Sequence, residues 1–222
     1  MAKTLDQSVT STDADPQGGY VIHEGEVIDL SKLDLDAIKK EIGCTPYKAL
    51  EIDNVREFVE RVLKQMINRN TTRVRFSERY QHIIDQYNAG GTENQDYYEQ
   101  LLQLIEELKK EQSRSSDMGL EEEELEIYDL LIQGRKLTKA EEQKVILASK
   151  NLYQKLKAEK SNIMVVDWYK DEKPRQNVLD LIEFSLDKDL PESYDKEAFK
   201  SKTHLLLNHF VDMAIQGFGW AA

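Results

Sequence analysis

Apolar residues recur at spacings of three and four along most of this chain, which is the period of one face of an α-helix. One stripe ends near Asn70, and another is closed by N-A-G-G at residues 88–91, a typical helix stop. Thr138 and Glu141 have the spacing of a capping box and predict a further helix start. The final two helices are expected at residues 174–186 and 195–216. The remaining stripes are formed by Leu35, Ile38 and Ile42; Val55, Phe58, Val59, Val62, Leu63 and Met66; Phe76, Tyr80, Ile83, Ile84 and Tyr87; Tyr97, Leu101, Leu104, Ile105 and Leu108; Leu125, Tyr128, Leu131 and Ile132; Val145, Ala148, Leu152 and Leu156. The pattern predicts an all-α fold, an irregular helical bundle of about seven to eight helices with an extended N-terminal arm.

The polar and irregular stretches between these stripes predict the domain organisation. Residues 1–30 read as an extended arm or linker, and residues 31–222 as a helical assembly domain with a candidate sub-boundary near 161–167. Within that domain, residues 113–119 are expected to be a link between helices. The β-branched run at 163–166 is expected to be either one strand or a buried connector.

Composition narrows the classes of function. The 222 residues carry a formal net charge of −12, which opposes general binding to phosphate backbones and favours basic protein surfaces. We find no run of about 18 apolar residues, so no membrane span is expected. The single cysteine, Cys44, cannot form an internal disulfide, and this is typical of a reducing cytoplasm. The expected location is therefore cytoplasmic.

Motifs for catalysis, cofactors and metals are missing from the sequence. No G-x-x-x-x-G-K-[ST] phosphate loop and no H-E-x-x-H zinc motif occurs. Two H-x-x-D pairs, His82 with Asp85 and His209 with Asp212, place both side chains on one helix face. Ordinary helix polarity is the favoured interpretation, and a metal-dependent enzyme is the weakest alternative. We therefore predict no catalytic, cofactor-binding or metal-binding residue in this chain.

Four arginines, Arg69, Arg73, Arg75 and Arg79, lie within one short stretch of this acidic chain. They could neutralise DNA phosphates, compensate neighbouring acids at a helix junction, or meet an acidic surface of another subunit. The structural or protein-contact interpretation is favoured over DNA. Residues 117–142 hold nine acids against three basic residues, which is typical of a solvated helix start or of a docking patch for a basic partner.

Aromatic residues in the last third of the chain are candidate interface anchors. Trp168 is expected in the core, whereas the aromatics at the C-terminus could pack inwards or against a partner. The candidate partner contacts are Trp168, Tyr169, Lys170, Arg175, Tyr194, Phe218 and Trp220.

Several segments, in order, resemble the C-terminal helical region of type I restriction endonuclease R subunits. Residues 19–41 begin G-Y-V-I-H-E-G-E, residues 71–90 run T-T-R-V-R-F-S-E-R-Y-Q-H-I-I-D-Q-Y-N-A-G, and residues 137–142 read L-T-K-A-E-E. Residues 167–196, from D-W-Y-K to E-S-Y-D-K, complete the set. Arg75 stands where that family is expected to have an acidic or neutral residue, so no role of the arginine cluster is inherited from the resemblance.

The resemblance implies an assembly module of an ATP-dependent restriction enzyme. In that family the region docks the motor and nuclease subunit onto the methyltransferase and specificity subunits, close to DNA, and supplies no catalytic residue. ATP and Mg are expected only in motor and nuclease domains, which this chain does not contain. Direct DNA contact would be minor, and no membrane is involved. The alternative is a free-standing acidic helical regulator that binds a basic protein partner.

Overall fold

The computed structural model describes residues 28–34, 49–90 and 94–216, with side chains described from 53 and from 95 onwards in the two longer ranges. Every regular element within these ranges is helical, which confirms the all-α prediction. Two short 3-10 turns, Leu30–Lys32 and Thr71–Arg73, accompany seven α-helices. The helices are α1 (Ala49–Arg69), α2 (Val74–Asn88), α3 (Asn94–Met118), α4 (Glu122–Ile132), α5 (Lys139–Ile163), α6 (Glu172–Asp189) and α7 (Lys196–Ile215). None of the described helices combines the length and the apolar content needed to cross a membrane.

Internal contacts divide the chain into two compact units, Met1–Met118 and Gly119–Ala222. In the first unit, α3 packs against α1, α2 and the segment 28–34. Its fully buried apolar residues include Leu30, Val55, Leu101 and Leu108, and the stripes predicted on α1 to α3 supply most of this core.

The second unit is built from α4 to α7. Helix α5 packs on both α4 and α6, and α7 packs on both α4 and α6, so the four helices enclose one core. Trp168, Leu152, Ile182 and Phe210 are completely buried. Helix α4 is buried on most of its faces, including two acidic side chains, Glu124 and Glu126, which the apolar stripe alone did not indicate.

Local signals set several helix ends as the sequence predicted. The Thr138 hydroxyl accepts a hydrogen bond from the Glu141 N–H, while the Glu141 carboxylate accepts from the Thr138 N–H at 2.8 Å. This reciprocal capping starts α5. Gly90 and Gly134 follow the ends of α2 and α4 with φ of +74° and +73°, a conformation that glycine adopts without steric cost.

Two connections differ from the predicted ones. Residues 113–117 were expected to be part of a link, but α3 continues to Met118 and Gly119 follows with φ of +64°. The Ser113 hydroxyl donates to the Lys110 carbonyl at 3.1 Å, and Ser115 is buried, so tertiary packing outweighs the weak helix propensity of serine. Residues 163–166 form neither a strand nor a fully buried connector, because Val165 and Val166 are exposed.

The described part of the N-terminal region consists of residues 28–34. Ile28 and Leu30 are buried in the first unit, and the only regular structure there is the 3-10 turn Leu30–Lys32. Leu35, Ile38 and Ile42, expected on a short helix, lie outside the described residues, as does most of the predicted arm. The proposed sub-boundary near 161–167 falls inside the second unit, at the connection between α5 and α6.

Candidate interaction surfaces

Residues of both H-x-x-D pairs contact other side chains of the fold. His82 Nε2 lies 3.1 Å from the Gln86 amide nitrogen, and Asp85 accepts a hydrogen bond from Gln81 at 2.8 Å. His209 Nε2 lies 3.3 Å from a carboxylate oxygen of Glu126. Within the described ranges, no three His, Cys, Asp or Glu side chains come together in a way that could hold a metal ion.

The arginine cluster (Arg69, Arg73, Arg75 and Arg79) lies at the junction of α1 and α2. Asn70 shapes this junction, because its side-chain oxygen accepts from the Thr72 N–H at 3.0 Å and from the Thr72 hydroxyl at 2.6 Å. This side-chain turn opens the 3-10 turn Thr71–Arg73. The cluster is therefore distributed over the end of one helix and the first turns of the next.

The buried carboxylate of Glu111 pairs with three arginine side chains near this junction. Glu111, on α3, is 6% exposed and lies 3.3 Å from Arg73 Nε, 3.0 Å from an Arg75 nitrogen and 3.3 Å from an Arg114 nitrogen. Arg73 is only 2% exposed. Charge-assisted hydrogen bonds of this kind join the 3-10 turn and the start of α2 to α3, across sequence separations of 38 and 36 residues.

The exposure of the four arginines separates their possible roles. Burial removes Arg73 from contact with DNA or with an acidic partner surface in this conformation, so its candidate role as a contact residue is corrected to a structural one. Arg79 pairs with Glu107 of α3. Arg69 and Arg75 remain largely exposed. The contacts are those expected of arginines that compensate neighbouring acids, and a DNA contact through Arg69 and Arg75 stays a prediction.

The second candidate surface is the Trp168 turn, which we define as residues 164–170 between α5 and α6. Buried side chains anchor it on both sides, since Met164 is 2% exposed and Trp168 is completely buried. The Trp168 N–H donates to the Val165 carbonyl at 2.9 Å, and the Lys170 N–H donates to the Asp167 carbonyl at 2.9 Å. Asp167 adopts the left-handed conformation, with φ of +60°, which aspartate tolerates better than most residues.

Side chains on the solvent side of the turn form an ion pair and a hydrogen bond with one another. The Lys170 ammonium lies 2.9 Å from the Asp167 carboxylate, which lowers the pKa of Asp167 and raises the pKa of Lys170. The Tyr169 hydroxyl donates to Asp167 at 3.3 Å, and the Tyr169 ring meets Trp168 edge-on with 6.3 Å between centroids. These exposed contacts favour the observed conformation of the turn.

The turn displays two neighbouring valines to solvent. Val165 is 46% exposed and Val166 is 82% exposed, so a continuous apolar tip stands between two buried anchors. These two residues were not among the predicted contact candidates, since a β-branched run usually favours burial. No local signal predicts their exposure, because it depends on the burial of Trp168 and the left-handed Asp167.

The other predicted partner contacts lie in different environments. Tyr194 is buried; its hydroxyl donates to the Leu131 carbonyl at 3.0 Å, and the Arg135 guanidinium lies 4.1 Å from its ring centroid. Trp168 and Tyr194 therefore pack inside the second unit. The core position expected for Trp168 is confirmed, whereas the burial of both side chains corrects their candidate role as partner contacts. Tyr169 is half-buried, and Lys170 and Arg175 are exposed. The remaining two candidates, Phe218 and Trp220, lie outside the described residues.

Comparison with known proteins matches most of the chain to one protein family. Residues 6–214 match the family described as "Type I restriction enzyme HindI endonuclease subunit-like, C-terminal". A Methanocaldococcus jannaschii protein, whose name assigns it to a type I restriction enzyme as the MjaIXP endonuclease subunit, is 32% identical over 102 residues. That similarity covers 44% of this chain and only 9% of the length of the relative. No solved structure matches the chain.

Proposed function

This chain belongs to the family of C-terminal regions of type I restriction endonuclease subunits, and we propose that it is a non-catalytic assembly module. In this role it docks the ATP-dependent motor and nuclease part of the subunit onto the methyltransferase and specificity subunits on DNA. The whole enzyme cleaves DNA, while this region holds the parts together.

The Trp168 turn is the observation that carries this proposal. Single exposed apolar residues are common on protein surfaces, but here two are adjacent and the backbone beneath them is fixed on both sides. A contact surface that is already ordered loses little conformational freedom on binding, which favours affinity. The turn therefore has the properties of a preorganised docking tip.

The polar side chains support the same role. Arg73, Arg79 and Glu111 are engaged between helices of the first unit, and Tyr194 is engaged within the second. Groups that could otherwise act on a ligand thus stabilise the scaffold. The net charge of −12 further favours approach to a basic subunit surface, by long-range attraction that weakens with salt.

The direct test measures binding of the purified chain to the methyltransferase and specificity subunits of its own restriction system by titration calorimetry. We expect micromolar or tighter binding. Val166→Ser is expected to weaken it by roughly tenfold, because burying a valine contributes about 1.5 kcal/mol or more. Leu147→Ser is the matched control, since Leu147 is also exposed and apolar but lies on α5, away from the turn. The control should bind like the wild type.

Two results would contradict this assignment. A folded wild-type chain that shows no binding to either subunit at high micromolar concentration would remove the assembly role and leave the free-standing regulator as the better explanation. Equal binding by Val166→Ser, Leu147→Ser and the wild type would keep docking but remove the Trp168 turn from it.

A minor DNA contact is proposed for the exposed part of the arginine cluster. Arg69 is exposed and is not one of the arginines paired with Glu111, so it can reach a phosphate without disturbing that network. Arg69→Gln should weaken DNA binding by the assembled enzyme and reduce the salt slope by about 1. An unchanged slope would restrict the cluster to its structural role.

A further inference from the structure

Residues 28–34 form a short segment, here called the strap, that lies against α1 and α3 of the first unit. Ile28, Leu30 and Leu33 are 4%, 0% and 2% exposed and belong to the core of that unit. Ser31 and Lys32, on the opposite side, are exposed. Three apolar side chains from seven residues therefore fill a groove whose walls are two helices.

The backbone of the strap is bound by side chains of both helices. The Gln65 side-chain oxygen, on α1, accepts from the Ile28 N–H at 2.9 Å. The Gln112 amide, on α3, accepts from the Leu30 N–H at 2.7 Å and donates to the Ile28 carbonyl at 2.7 Å. A single glutamine thus satisfies a donor and an acceptor of an extended chain, as a neighbouring β-strand would.

A local turn sets the spacing of the apolar residues. The Asp29 carboxylate accepts from the Ser31 N–H at 3.0 Å and from the Ser31 hydroxyl at 2.6 Å, and the Leu33 N–H donates to the Leu30 carbonyl at 3.1 Å. The Lys109 ammonium, on α3, donates to the Leu33 carbonyl at 2.9 Å. The turn and this last bond bring Leu30 and Leu33 to the same side.

We propose that the groove between α1 and α3 is a peptide-binding site, and that residues 28–34 occupy it as a releasable latch. Backbone hydrogen bonds supply recognition that does not depend on side-chain identity, while the three apolar residues supply specificity. The strap is short and its Ser31–Lys32 side is open to solvent, so release would break three buried apolar contacts and the hydrogen bonds from Gln65, Gln112 and Lys109. Release would expose the groove.

The test uses a fluorescein-labelled peptide of residues 26–35 and measures its binding to full-length chains by fluorescence anisotropy. The wild-type chain should bind it weakly, because its own strap competes at an effective concentration on the order of millimolar. A chain with Leu30→Asp cannot bury its own strap and should bind the peptide at least tenfold more tightly. Lys32→Ala, two residues away on the exposed side, keeps all three apolar anchors and loses only an exposed pair with Asp29, so that chain should behave like the wild type.

A folded Leu30→Asp chain that fails to bind the peptide, or binds it no better than the wild type, would overturn the proposal. A peptide that itself carries Leu30→Asp should not bind, and binding as tight as that of the unmodified peptide would show that the groove is not the site. A concentration-dependent dimer of the wild type that the peptide dissociates would place the strap of a second copy in the groove and overturn the assignment to one chain.

Should Leu30→Asp prevent folding, Gln112→Ala provides an independent measurement. This change leaves the apolar anchors in place and removes two backbone hydrogen bonds to the strap. Hydrogen exchange at the Leu30 amide, which loses its acceptor, should accelerate at least tenfold, while exchange in α6 stays unchanged. Unchanged exchange at this amide would contradict a latch held by Gln112.

Discussion

The buried cations of the two units, Arg73 and Lys202, are bound by different acceptors. In the first unit, Arg73 lies at the α1–α2 junction and Arg75 lies on α2. Both bind Glu111 of α3, so a carboxylate is the shared acceptor. In the second unit, the Lys202 ammonium donates to the carbonyls of Leu130 and Gln133 at 2.7 Å, near the end of α4. The acceptors there are backbone carbonyls. Every helix end leaves such carbonyls without an intrahelical partner, and the ammonium supplies one.

This difference determines what each unit is sensitive to. A buried carboxylate shared by several guanidinium groups leaves buried charge behind when it is removed, so the first unit should respond strongly to loss of one acid. Backbone carbonyls cannot be removed by mutation, and loss of their donor leaves neutral acceptors unpaired rather than a buried charge. The second unit should therefore depend more on its apolar anchors than on any single polar contact.

The largest expected effect comes from Trp168→Ala in the second unit. Trp168 is completely buried, and truncation of a buried tryptophan costs about 4 kcal/mol through lost transfer free energy and the cavity left behind. Hydrogen exchange should accelerate in α4 to α7, while Trp168→Phe should lose less because most of the ring volume is kept. A change of protection restricted to α1 to α3 would refute the role of Trp168 as an anchor of the second unit.

Glu111→Ala is expected to produce the next largest effect, now in the first unit. The change deprives the buried Arg73 guanidinium of its carboxylate and should lower the free energy of unfolding by about 3 kcal/mol. Urea unfolding would measure this loss. Glu106→Ala is the control, since Glu106 lies on the same helix and forms only an exposed pair with Lys110, and it should cost less than about 1 kcal/mol. Equal losses in both variants would mean that the Glu111 network contributes no more than a surface pair.

The helices and several of their ends could be predicted from the sequence because their signals are local. The apolar stripes, the Thr138–Glu141 capping box and the glycine after α2 each act within a few residues. The continuation of α3 through Ser115 could not be predicted, because burial by other helices outweighs serine's own preference.

The contact surfaces were predicted less completely than the fold. Arg73 was one of four arginines with a candidate contact role, and its burial depends on Glu111, 38 residues away, which no periodic pattern connects to it. Tyr194 appeared to be an interface anchor, but its hydroxyl reaches the Leu131 carbonyl across 63 residues. Val165 and Val166 were expected in a strand or a buried connector, yet both are exposed. Which side chains remain exposed is therefore determined by contacts with residues that are distant in the sequence.

Lys202→Met tests the hydrogen bonds between α7 and the end of α4 in the second unit, and it should lower the free energy of unfolding by less than the two changes above. It removes both hydrogen bonds near the end of α4 but keeps an apolar stem of similar length, so we expect a loss of about 1–2 kcal/mol in urea unfolding. Burial lowers the pKa of Lys202, which already offsets part of what its charge could contribute. Lys200→Met, on the exposed side of α7, should be close to neutral. A loss from Lys202→Met as large as that from Glu111→Ala would erase the distinction between the two units.

The smallest expected effect is a pH dependence at the start of α5. Hydrogen bonds from Ser193 and Thr138 lower the pKa of Glu141 to about 2, from an ordinary value of 4.5. Since the folded pKa is the lower one, the stabilisation is present above about pH 4.5 and is lost as the pH falls towards 2. Glu141→Gln should therefore lower the urea midpoint near neutral pH, and the difference from the wild type should shrink as the solution is acidified. Glu159→Gln, an exposed change on the same helix, should leave the midpoint nearly constant relative to the wild type at every pH. A difference for Glu141→Gln that stays constant between neutral pH and about pH 2 would show that the charge of Glu141 does not stabilise this helix start.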